Sequence, residues 1–217
     1  MKKNYHLRKR YIHYALFWYN LVKAGVYMSK LTGNEQFMND DISIGFLLSD
    51  FWSWNSSDLL NNTLRGALAE FIVTIALDVD TNATIREDWS AYDLLYNECK
   101  IEIKSSAYLQ SWNDNMISKI NFSIRPTRAW SPTEGYEDEV KRQSDIYIFC
   151  LFACTDREKA NPLLLNQWEF YALRTKVFDE KCPNQKSISL QSLLFLEPVK
   201  SNFGSLKESV DELIQSF

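Results

Sequence analysis

The stretch AYDLLYNECKIEIKSSAYLQSW (91–112) sets Asp93, Glu102 and Lys104 among tyrosines, leucines and isoleucines. Asn97-Glu98 is a workable two-residue turn, and a hairpin centred on it pairs Tyr96 with Cys99, Leu95 with Lys100, Leu94 with Ile101 and Asp93 with Glu102. Two carboxylates so opposed have Cβ atoms about 5 Å apart and destabilise the pair unless something positive lies between them. A divalent cation with hard oxygen ligands answers that need. Alternation puts Lys104 on the same strand face as Glu102, where an ammonium can orient a water, help deprotonate it, or stabilise charge on a reacting phosphate. The same Lys-Ile-Glu-Ile-Lys alternation also suits an ordinary half-exposed strand whose charges are simply solvated.

Glu70 is the next acid of interest. It sits in ALAEFIVTIAL, apolar on nearly every side, where an ionised carboxylate needs a counter-charge or a metal. Alternatively it lies on a narrow exposed stripe with Gly66 and Thr74, paired with Arg65 or Arg86. Asn62 or Thr63 is placed to cap this helix, which is predicted over 64–79. DIYIFCLFAC (145–154) is a continuous apolar run of buried-strand length, and WEFYALRT (168–175) is a further strand whose aromatics suit sheet packing. INFSI (120–124) is strand-like. RPTRAWSPTEGYEDE (125–139), with two prolines and a glycine, reads as an irregular surface loop. Residues 31–62 read as loop-rich around FWSW, while 190–196 and 206–217 read as helices. Residues 7–25 place Leu7, Tyr11, Tyr14, Trp18 and Leu21 on one stripe of an amphipathic helix. The whole is an α/β layer structure.

A helical Glu, an Asp at a strand end, then Glu-x-Lys on the next strand resembles the PD-(D/E)xK nuclease superfamily, over roughly residues 62–175. The pieces are Glu70 in RGALAEF, Asp93 in AYDLL, and Glu102 with Lys104 in IEIKSS; Tyr92 stands where the family name has proline. The resemblance implies a restriction-endonuclease-like fold, a mixed central β-sheet flanked by helices. An N-terminal helical extension (1–61) would precede a nuclease domain (62–217). It implies Mg²⁺ or Mn²⁺ held by Asp93, Glu102 and the backbone carbonyl of Ile103, with Glu70 completing the site directly, through water, or at a second ion. Lys104 would assist hydrolysis of a DNA phosphodiester that leaves a 5′-phosphate. Restriction, phage defence and repair are the settings such an enzyme would serve, and a duplex cut on both strands would call for a homodimer. A catalytically silent binding or assembly module of the same fold is the alternative, and a plain interaction protein with a coincidental Glu-x-Lys is a third reading.

Nucleic acid needs cations near the active face. Lys119, Arg125, Arg128 and, after the acidic GYEDE, Arg142 are the candidates, with Trp112 and Trp130 as stacking groups. Pairing of the arginines with Glu137, Asp138 and Glu139 is the competing reading. Ser106 shares the Glu102 face and can either bond a phosphate or satisfy local backbone groups.

The bulk numbers fit these assignments. A chain of 217 residues, 46% of them hydrophobic, is long enough to bury a sizeable core. Cys99, Cys150, Cys154 and Cys182 form no CxxC pair and there are two histidines, so a zinc site is not expected; reduced thiols in a cytoplasmic protein are. No apolar run has membrane-spanning length, and YALFWYNLV (14–22), broken by Asn20, does not read as a signal peptide. Residues 1–30 carry seven Lys or Arg and no acid, leaving 17 positive and 28 negative charges elsewhere, a net −11. That basic arm is suited to phosphate, an anionic membrane, or the protein's own acidic surface.

Overall fold

The strand Ile146–Phe152 is buried at all seven positions, as a continuous apolar run demands when both faces are covered. It is β8 of a computed structural model that describes residues 30–82, 85–86, 90–112, 116–131 and 135–216. The predicted helix over 7–25 lies outside the described residues. The chain divides into two compact units after Ser53.

The described part of the first unit is a hairpin, β1 (Gln36–Asn39) and β2 (Ile42–Leu47), leading into helix α1 (Leu48–Ser56). The expected loop-rich stretch is therefore regular structure. Ile42, Ile44 and Phe46 alternate with small residues, Asp40 takes the positive φ (51°) the turn needs, and Asp50 accepts from Leu47 N–H at 2.7 Å as α1 begins.

The second unit is built on a five-stranded sheet of order β11-β9-β8-β4-β3, where β3 is Leu94–Tyr96, β4 Cys99–Ala107, β9 Trp168–Arg174 and β11 Val199–Ser201. The β4–β8 pair is parallel and the other neighbours are antiparallel, so the sheet is mixed. Helix α2 (Asn62–Ala76) packs on one face. Its N-cap is Asn61, one residue before the predicted pair, with its side chain accepting from Thr63 N–H. Arg65, Ala69, Ile72, Val73 and Ala76 are its buried stripe, at helical spacing. Those apolar residues meet Ile101, Ile103, Ile148 and Phe170 from the sheet, with Leu206 and Val210 of α5 (Leu206–Gln215). α2 ends three residues short of the predicted Val79, where Asp78 turns to positive φ (56°).

The opposite face carries a second core in which Tyr147, Phe149, Leu151 and Tyr171 pack against Phe122 of β5 (Asn121–Ser123), Phe178 of α3 (Thr175–Lys181), Ile188 of β10 (Ser187–Ser189) and Leu193 of α4 (Leu190–Phe195). Phe149 meets Phe122 edge-on at 5.0 Å between centroids. Each such buried side chain contributes roughly 1.5–3 kcal/mol, so the two-faced core accounts for the sheet's position. The predicted loop over 125–139 is instead a second hairpin, β6 (Thr127–Ser131) and β7 (Gly135–Lys141). Pro126 directly precedes β6 and Gly135 (φ 73°) opens β7, so these punctuating residues mark strand starts. Among the described residues no helix is long and apolar enough to cross a membrane.

Candidate active site

β3 and β4 pair in the register read from sequence: Tyr96 with Cys99, Leu95 with Lys100, Leu94 with Ile101. Asn97 (φ 47°) and Glu98 (φ 64°) both take left-handed conformations, the signature of a type I′ turn. β3 then stops after three paired residues, and that early end makes the site. Asp93 still donates its N–H to Ile101 O at 3.0 Å, but its carboxylate bends back to accept from Ile103 N–H at 2.7 Å. Asp93 therefore occupies a gap beside β4 that a longer β3 would fill. A strand residue's N–H and C=O point the same way, so the Ile103 carbonyl also faces this gap.

Glu102 and Lys104 stand on the other side of β4's pleat from Ile101 and Ile103, half-buried, and form an ion pair with each other. Glu102 also accepts from Ser144 Oγ at 3.2 Å. The Asp93 residue is exposed overall, yet burial around its carboxyl pushes the pKa up to about 6, and the Glu102 charge pushes the same way, against Lys104 and the Ile103 hydrogen bond. Burial disfavours the Lys104 ammonium, yet Glu102, Asp93 and Glu70 together hold its pKa above the ordinary value. Lys104 is accordingly a fixed cation and not a base.

Glu70 reaches this electrostatic neighbourhood from the middle of α2, where it affects both Asp93 and Lys104. Its carboxylate is held by Arg86, with Nε at 2.6 Å and Nη2 at 2.8 Å. Arg65 is occupied elsewhere: it is buried and donates to Ser105 Oγ, Leu60 O, Gln110 Oε1 and Asn62 Oδ1, and burial lowers its pKa to about 10. Among the described residues no three His, Cys, Asp or Glu groups converge closely enough to hold a metal as they stand. Glu70 is turned to Arg86 and Glu102 to Lys104. The donor set itself, carboxylate oxygens beside a strand carbonyl, fits a hard divalent cation in chemistry, and the Asp93 pKa is raised by burial first and by the Glu102 charge second.

The expected nucleic-acid contacts divide. Lys119, Arg125 and Arg128 are exposed and none is ion-paired with a described residue, so the pairing with Glu137, Asp138 and Glu139 is not formed. Arg142 is a correction. It is buried and bonds Asp179 (2.6 Å) and the carbonyls of Ile124, Cys182 and Gln185, with Phe178 under its guanidinium, so it clamps distant segments together and offers nothing to solvent. Ser106 is buried too, in register with Leu151 of β8. Ser144 and Asp145 were missed by sequence reasoning. Asp145 Oδ2 accepts from Lys100 N–H and its own N–H returns to Lys100 O, fixing the start of β4 against β8. The Ser-Asp pair just before the apolar run was the available signal.

No curated protein and no solved structure matches the chain. The model of one family, bacteriophage T4 endonuclease IV, matches residues 41–192, a span that includes Glu70, Asp93, Glu102, Lys104 and both hairpins of the second unit. That match covers more than half of the chain, which therefore belongs to the bacteriophage T4 endonuclease IV family.

Proposed function

We propose that this chain is a metal-dependent endonuclease of the PD-(D/E)xK kind that hydrolyses phosphodiester bonds of DNA. The observation that carries the reading is the gap beside β4. Asp93, the Ile103 carbonyl, Glu102 and Lys104 gather where β3 ends, with Glu70 in range on α2, in a chain of an endonuclease family. Asp93, Glu102 and the Ile103 carbonyl would hold Mg²⁺ or Mn²⁺, with Glu70 joining once released from Arg86. Bound there, the cation would supply Lewis acidity to the phosphate and lower the pKa of a water. The chain's own contributions are separate. Lys104, held as ammonium, donates to the phosphate oxygens as charge builds on them. Ser144 keeps Glu102 oriented, and the Ile103 N–H keeps the Asp93 carboxylate in the gap.

Plasmid, linear duplex, single-stranded DNA and RNA offered with Mg²⁺, Mn²⁺ or EDTA test this, with Glu102→Gln and Lys104→Ala run beside the wild type. Metal-dependent cutting that both substitutions abolish is the expected result. Inertness on every substrate, with no calorimetric Mn²⁺ binding that Glu102→Gln removes, would leave a binding module of the same fold.

A further inference from the structure

The β6–β7 hairpin belongs to neither core and pairs with no strand of the central sheet. A two-stranded ribbon of that kind is marginal by itself, and this one presents aromatic surface to solvent. Trp130 (39% exposed) lies directly opposite Tyr136 (65% exposed), and directly opposed residues share a face. Arg128, two residues before Trp130, falls on that face too, opposite Val140. Between these two pairs the register slips: Ala129 alone on β6 faces Glu137, Asp138 and Glu139 on β7. The bulge takes the three acids out of the regular ladder, and Glu139 is tied up by Lys141. Arg125 and Arg128 thus lie on the β6 side, while the three acids lie on β7, with Lys141 neutralising Glu139 there.

The ribbon is also rooted at the catalytic edge. Gln143 Nε2 closes its foot by donating to Thr127 O at 2.8 Å, Arg142 is anchored in the core, and Ser144 next in line donates to Glu102. Lys141 to Ser144 is three residues, a reach of ~10 Å at most, and Trp130 is about 10 Å further along β6 from Thr127.

Resting on the proposed nuclease reading, we infer that the β6–β7 ribbon is the arm that holds the nucleic-acid strand leading away from the active site. Arg125 and Arg128 take its phosphates along β6, and Trp130 with Tyr136 stacks on its bases. The aromatic pair meets bases roughly three to six nucleotides from the cleaved bond, at a strand rise of ~3.4 Å. The acidic bulge keeps the phosphate chain off β7 and so gives the strand one track.

The test uses fluorescein-labelled DNA of about 20 nucleotides, longer than the ~4–16 that such sites span, offered single-stranded and as duplex. Binding is read by anisotropy in EDTA and cleavage by steady-state kinetics in Mg²⁺. Trp130→Ala and Tyr136→Ala are expected to weaken binding by about tenfold or more each and to raise KM with kcat unchanged. Trp130→Phe, which keeps a stacking face, should restore most of the affinity, and this separates stacking from misfolding. Wild-type cutting with an unaltered KM in both alanine variants overturns the ribbon's role and leaves the nuclease reading standing. Alanine variants that change oligomeric state in light scattering, with unaltered DNA binding, overturn it in favour of a second copy seated on the ribbon. A wild type that neither binds nor cuts any DNA removes the nuclease reading, and this inference with it.

Discussion

Replacing Asp93 by Asn isolates the electrostatic cost of the site. The side chain keeps its shape and an oxygen to accept from Ile103 N–H, but loses the charge that burial and Glu102 oppose. The folded-state pKa of about 6 stands against an ordinary 3.8. The shift of about 2 pH units at 1.36 kcal/mol each would be ~3 kcal/mol unscreened, but Asp93 is exposed to solvent, and screening leaves about 1 kcal/mol of instability on the ionised form. The sign follows from proton uptake. Between about pH 4 and 6 the folded state binds the Asp93 proton more tightly than the unfolded chain, so this group's contribution to stability falls as pH rises and is fully unfavourable above 6. Asp93→Asn should therefore gain about 1 kcal/mol at pH 7.5, and about half of that at pH 5, where much of the wild-type carboxyl is already protonated.

Urea unfolding in EDTA at the two pH values, with unchanged slope in denaturant, measures both numbers. Cleavage by the same variant should be lost, which is the usual relation between a strained functional group and stability. A variant less stable than wild type at pH 7.5, or a gain that does not shrink at pH 5, would refute the view that burial and the Glu102 charge disfavour the Asp93 carboxylate.

Three further substitutions probe its surroundings. Arg142→Met leaves Asp179 and several carbonyls without their donor; it should cost roughly 3–5 kcal/mol and lower Tm by on the order of 10 °C in a thermal melt. A normal Tm with weakened DNA binding would return Arg142 to the nucleic-acid interface. Arg86→Ala removes a half-exposed partner and should cost under ~1 kcal/mol, while calorimetric Mn²⁺ titration shows tighter binding as Glu70 is released; weaker binding would mean that Arg86 positions Glu70. Ser144→Ala takes away Glu102's hydroxyl donor and should lower kcat roughly 10- to 100-fold with little change in Tm; an unchanged kcat would show Glu102 to be oriented by Lys104 alone.

What was legible in the sequence was local. The β3–β4 register followed from a two-residue turn and alternation, and β8 and β9 from apolar runs of strand length. The placement of Glu70 on a mostly buried helix followed from periodicity. What was not legible depends on where chains end or on partners far along the sequence. Nothing in AYDLL says that pairing stops at Leu94, yet that stop turns the Asp93 side chain onto Ile103 N–H instead of leaving it square to Glu102. Arg142 looked like a surface cation because its partners lie 18 to 43 residues away, at Ile124, Asp179 and the 182–185 turn. The β6–β7 ribbon was hidden by the two prolines and the glycine of its sequence, and composition alone does not distinguish a loop from two short strands punctuated by turn residues.

The assignment of protons within the site follows from the same charges. From the sequence, Lys104 is the residue that could help deprotonate the attacking water, with Asp93 a cation ligand. Three carboxylates raise the Lys104 pKa above its ordinary value, so at neutral pH it has no lone pair to offer and can only donate. Asp93, at about 6, is the member whose protonation changes near the working range. On the proposed metal-dependent reading, the acid limb of the pH profile for metal affinity would belong to Asp93: with a pKa of about 6, about nine-tenths of it is protonated at pH 5, and Mn²⁺ binding should be roughly tenfold weaker than at pH 7. Asp93→Asn should flatten that limb, whereas Lys104→Met should preserve it and, by removing a cation that lowers the Asp93 pKa, move it to higher pH. If the limb instead vanished in Lys104→Met, the two residues would have to exchange roles.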